Sequence, residues 1–126
     1  MIAKLYLFKV VMGLSAAFIL AGCQQKLSQP APEVKIKQIS ALVASSSYLK
    51  KNCKRSDIPE DNILIDKALY LSSQKGWSID ENQYNQLINK IQERYQSLLK
   101  DDSPHMQKCA QLEKLVTPFL DEAKRG

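Results

Sequence analysis

The sequence predicts an all-α domain: a small four-helix bundle with one disulfide, preceded by a lipoprotein signal and a flexible tether. Three observations carry this. Four stretches repeat apolar residues at helical three-four spacing, and Pro, Gly or a capping Asp or Ser punctuates them. No run alternates long enough to make a sheet. Three cysteines are present, and one lies at the end of the signal, which leaves Cys53 and Cys109 as an even pair.

Residues 1–22 read as the signal. Met1 to Lys9 holds two lysines and no acid, and Val10 to Leu20 is an apolar run of 11 residues. That run is too short to span a bilayer, which takes about 20 apolar residues. Leu20-Ala21-Gly22-Cys23 then resembles a bacterial lipobox, cut before the Cys. Cys23 would carry the acyl chains, a covalent lipid in place of any cofactor. At roughly 0.8 kcal/mol per buried CH₂, two or three chains anchor stably. Gln24 follows, and by resemblance to enterobacterial lipoproteins a residue other than Asp there favours the outer membrane. Residues 23–33 are the lipidated Cys and tether. Gln24 to Pro32 is polar, contains Pro and lacks an apolar period, so it should be extended and unfolded. Its reach is up to about 27 Å.

The helical domain occupies residues 34–126. The first helix runs from about Val34 to Cys53 on a stripe of Ile39, Leu42, Ser46, Leu49 and Cys53, widened by Ile36 and Val43. Lys50, Lys51, Lys54 and Arg55 gather at its end, where cations suit the macrodipole. This reads as a solvated helix end rather than a site for an acidic partner. Ser45-Ser46-Ser47 offers small side chains that would let a neighbouring helix or a partner come close.

The second helix starts near Pro59 with Asp57 as N-cap, and Gly76 ends it in the left-handed conformation. Leu64, Ile65, Ala68, Leu69 and Leu71 give it a wide apolar face, and Trp77 reads as a core plug. The third helix has Asp80 as N-cap and Gln83 as capping-box partner. Its stripe is Tyr84, Leu87, Ile88, Ile91, Tyr95, Leu98 and Leu99, ended by Asp101-Asp102. The fourth starts at Ser103-Pro104 and buries Met106, Cys109, Leu112, Val116, Phe119 and Ala123. Pro118 interrupts that pattern and should bend the helix near Lys114.

Composition leans against an enzyme. With one His and four Gly, a multi-ligand metal site, a Ser-His-Asp triad and a Gly-rich phosphate loop all lack parts. Asp57, Glu60, Asp61 and Asp66 surround a helix start, which explains them without acid-base chemistry. Lys4 and Lys9 fall in the signal, which takes the charge from +5 to +3 after cleavage. That is too mild to argue for nucleic acid, and nothing calls for a small-molecule substrate.

Cys53 and Cys109 would face an oxidising compartment, which favours a disulfide. The closed loop of about 57 residues is worth near 4 kcal/mol in the chain-entropy model. Metal binding by the two thiols and His105 is the competing reading.

One resemblance is specific. LVASSSYLK from Leu42, CKRSDIP from Cys53, QKGW ending at Trp77, and Cys109 followed by LVTPFLD from Leu115 are similar to the PulS/OutS family of type II secretion pilotins. The likeness spans about Gln38 to Lys124 and includes the lipobox. It implies a small helical lipoprotein stapled at Cys53 and Cys109. It also implies a lipid anchor in the outer membrane, with the domain facing the periplasm. The implied partner is the C-terminal segment of a secretin subunit, which becomes helical in a groove. The lipoprotein sorting machinery would carry the pair outward, protecting the secretin and promoting its assembly. Groove candidates are Leu42, Val43 and Leu49 on the first helix with Tyr84, Ile88 and Ile91 on the third. The alternative is an envelope lipoprotein that inhibits an enzyme or stabilises another periplasmic complex. Its binding surface would be polar and protruding instead of apolar and concave.

Overall fold

The computed structural model describes residues 29–125. The signal, the Cys23 lipidation site and most of the tether lie outside the described residues. Among those described there are four helices and no strand: α1 (Pro32–Asn52), α2 (Asp61–Gln74), α3 (Glu81–Lys100) and α4 (His105–Arg125). The all-α fold and the four elements follow the apolar spacing, except that Met106, expected on the inner face of α4, is 84% exposed in its first turn.

The arrangement is built around α1. It packs against all three other helices, most extensively against α3, and α2 also packs on α4. α1 is therefore buried most of the way round, and its sequence accommodates this. Ile36, Ile39, Val43, Tyr48 and Leu49 fill the core, while Ser40, Ala44, Ser45, Ser46 and Ser47 are small enough for close approach. Two of the hydroxyls turn back on their own helix. Ser40 donates to the Lys37 carbonyl at 3.1 Å, and Ser46 to Leu42 at 2.7 Å. A satisfied hydroxyl can be buried at little cost. The serine run is thus met by neighbouring helices.

α3 leans on α1 with one face only. Leu87 and Ile91 are buried, Ile88, Tyr95 and Leu98 are half-buried, and Tyr84 and Leu99 lie at the exposed margin. The expected capping box is present: the Asp80 side chain accepts from the Gln83 amide, and the Gln83 side chain accepts from the Asp80 amide. α2 ends in a Schellman turn. The Trp77 amide reaches Ser72 and the Gly76 amide reaches Ser73, both at 3.0 Å, with Gly76 at φ 79°.

Two helix starts differ from expectation. α2 begins at Asp61 with Glu60 in the cap position. Asp57, the expected cap, is instead held by Arg55 through two hydrogen bonds of 2.9 and 3.0 Å. A charged donor two residues away competes better for the carboxylate than backbone N–H groups further on. Similarly, α4 starts at His105, and the Ser103 hydroxyl donates to Asp101 at 2.7 Å instead of capping the helix. Pro118 sits inside α4, which continues through it to Arg125.

The basic cluster at the end of α1 fastens the fold. Lys50 donates to the Ile58 carbonyl and pairs with Glu60, Lys51 pairs with Asp61, and Arg55 pairs with Asp57 and Glu113. Cys53 and Cys109 form a disulfide with Cα atoms 5.9 Å apart, joining the end of α1 to the start of α4. Both thiols are spent in that bond, so neither is free as a metal ligand in this structure.

Candidate partner-binding cleft

Three of the six residues expected to line a trough across α1 and α3 are packed into the core instead. Val43 and Leu49 have no exposed surface, and Ile91 is only 7% exposed. Tyr84 and Ile88 remain at the margin of the same packed contact. Two openings of mixed lining flank α3. One, of about 780 Å³, sets Ile36 and Leu98 among Glu33, Lys37, Lys90, Glu93 and Arg94, and the other sets Ile91 and Tyr95 among Ser47, Lys51, Asp61, Asn89 and Gln92. The six candidate residues therefore do not form one surface. Apolar periodicity marks the side chains that point inward, but not the helix pair between which a gap is left.

Besides a small apolar hollow of about 150 Å³ at Ile58, Pro59, Leu120 and Ala123, an apolar concavity lies on the opposite side of α1, where α1, α2 and α4 meet. Of the six candidates it includes Leu42 alone. Ile39 and Leu42 of α1, Ala68 and Leu71 of α2, and Leu115 and Phe119 of α4 line a cleft of about 200 Å³. Trp77 stands at its edge, half-buried, and so corrects the core-plug expectation. The Schellman turn positions it, because the left-handed Gly76 turns the chain back across the end of α2. The Lys75 ammonium lies 5.3 Å from the indole centroid, a cation–π distance. Pro118 and Glu122 complete the α4 wall, and Leu115 is 50% exposed there.

An exposed Leu beside a half-buried Trp and a buried Phe floor is a place for the anchor side chains of an amphipathic helix. The volume admits those side chains, not the helix that bears them. Two features of the sequence agree with this cleft, though neither locates it. The α2 stripe is wider than one contact needs, and Leu115 falls outside the inner face of α4, beside Pro118.

A family model described as type II secretion system pilotin lipoprotein (PulS_OutS) matches residues 20–121. The chain belongs to the PulS/OutS pilotin lipoproteins. It is 42% identical to pilotin OutS of Dickeya dadantii (strain 3937) over 94 residues, covering 75% of this chain and 68% of OutS. It is 31% identical to the pullulanase secretion protein PulS of Klebsiella pneumoniae over 121 residues, covering 91% and 94%. A solved pilotin/secretin peptide complex contains a chain of the same fold. The TM-score is 0.68 at 40% identity, covering 76% of this chain and 98% of that one. A chain of the K. pneumoniae type II secretion outer membrane complex of PulD, PulS and the PulC HR domain also has TM-score 0.68. It is 29% identical, with 75% and 99% covered. The family is one of envelope lipoproteins and not of enzymes. Its model begins at Leu20, so it takes in the Leu-Ala-Gly-Cys motif as well as the helical domain.

Proposed function

We propose that this pilotin captures a C-terminal segment of a secretin subunit in the cleft between α1, α2 and α4, and that acyl chains on Cys23 carry the pair to the outer membrane. The observation that carries the reading is the apolar cleft beside Trp77, on a domain with the fold of a solved pilotin/secretin peptide complex. An apolar concavity suits an amphipathic helix, whereas the polar, protruding surface of an inhibitor is not what this face offers. The segment becomes helical as its apolar residues enter the cleft. Ordering it costs free energy, so the affinity is moderate for the area buried. The acyl anchor gives the destination, and the lipoprotein sorting machinery recognises Cys23 and its neighbour Gln24.

The test is binding of oxidised residues 24–126 to a fluorescent peptide from the carboxyl end of the cognate secretin. Saturable binding with a gain in helicity is expected. Leu115→Asp, at an exposed wall position, should weaken it at least tenfold, about 1.4 kcal/mol. Tyr84→Asp, on the margin of α3, should leave it within twofold. Equal losses from both would remove the cleft from the mechanism. In cells, Cys23→Ser should abolish acyl labelling and release the protein from the membrane fraction.

A further inference from the structure

The sequence lets the tether run free to Pro32, but the structure ties it down three residues earlier. The Gln29 side-chain carbonyl accepts from Lys35 Nζ at 3.2 Å and from the Ser78 backbone N–H at 3.3 Å. Lys35 is 4% exposed and also donates to the Ser78 carbonyl at 2.8 Å. One buried ammonium thus joins the incoming chain to the α2–α3 loop, directly after Trp77. A hydrogen bond from a charged donor is among the stronger kind, and this contact spans 43 residues of sequence.

We propose that this clasp orients the anchored domain on the bilayer, with the start of α1 and the α2–α3 loop facing the lipid headgroups and the partner cleft opening beside them. The proposal rests on the acylation of Cys23 given above. Six residue steps separate Cys23 from Gln29. At 3.3–3.6 Å per residue the clasp lies within about 22 Å of the acylated residue. Without it the leash would run to α1 and extend to roughly 32 Å, leaving from the helix axis and letting the domain roll. The side chains at this end suit a headgroup layer. Val34 is 43% exposed, and Lys75 stands over Trp77. Glu33, Asp80 and Glu81 lie at the same end, so this is no basic patch. The short leash, not charge, brings it to the lipid.

Trp77 is the sole tryptophan, so it reports its own distance from the membrane. The full acylated protein is reconstituted in phosphatidylethanolamine/phosphatidylglycerol vesicles carrying a dansyl headgroup lipid, and energy transfer from Trp77 is read. Gln29→Ala, at an exposed position, should cut transfer at least twofold. Six Gly/Ser residues inserted between Gln25 and Lys26 should do the same. Amide exchange at Ser78 should quicken in Gln29→Ala alone. Transfer in Gln29→Ala equal to wild type, or Ser78 exchange unchanged, overturns the clasp. Failure of the underlying reading looks different: mass spectrometry finds no acyl chains, and neither wild type nor variant floats with vesicles.

Discussion

Single residues carry two effects that reach beyond their neighbours. Lys108 is 7% exposed, and its ammonium donates to the carbonyls of Leu98 at 2.9 Å and Asp101 at 2.6 Å, 5.3 Å from the Tyr48 ring. It satisfies the end of α3, where the last carbonyls have no donor of their own. Lys108→Met keeps the stem and removes the cap, so urea unfolding should show a loss of about 2 kcal/mol. The sequence could not show this, because a lysine on α4 names no partner and its acceptors are backbone atoms of another helix. Asp57 differs in kind. The hydrogen bonds from Arg55 hold its carboxyl down to about 2, below the usual 3.8. A depressed carboxylate pKa stabilises the fold above the unfolded value, and that contribution is lost as pH falls from about 4 toward 2. Asp57→Asn should therefore flatten the fall of melting temperature across that window, with its difference from wild type greatest at neutral pH and gone near pH 2. The effect is small, because the pair is exposed and screened.

At the scale of elements, legibility followed the range of the signal. The Asp80 box and the Gly76 turn were readable because each is complete within a few consecutive residues. Adding a Cβ at Gly76 meets no atom within 4 Å, so Gly76→Ala should cost only the conformational strain of φ 79°, about 1 kcal/mol. Because the turn also aims Trp77, the substitution should weaken peptide binding more than that loss of stability explains. A calorimetric melt and a titration of the same variant separate the two. α1 was legible as a helix but not as the hub. Its stripe reads one-sided because serine counts as polar, while Ser40 and Ser46 are fully buried with their hydroxyls bonded to their own backbone. Denaturant melts should find Ser46→Ala close to neutral, since a helical alanine offsets the lost bond. Ser46→Leu should cost about 1–3 kcal/mol by overpacking.

For the molecule as a whole, cysteine arithmetic located the staple, while the cleft emerged only from three helices meeting at α1. No local pattern shows a junction of that kind. Removing the disulfide by Cys53→Ala with Cys109→Ala restores the chain entropy of a loop 56 residues apart. The melting temperature should fall by roughly 15–30 °C. The same bond has a consequence in time and place. It joins the two ends of the helical domain, and such bonds do not persist in a reducing cytosol. A chain still awaiting export would lack the constraint that holds α4 against α1, and Leu115 and Phe119 would not yet be fixed opposite Leu42. Without that contribution to stability the chain is easier to unfold for threading, and the cleft proposed for the partner gains its full rigidity only where oxidation is possible.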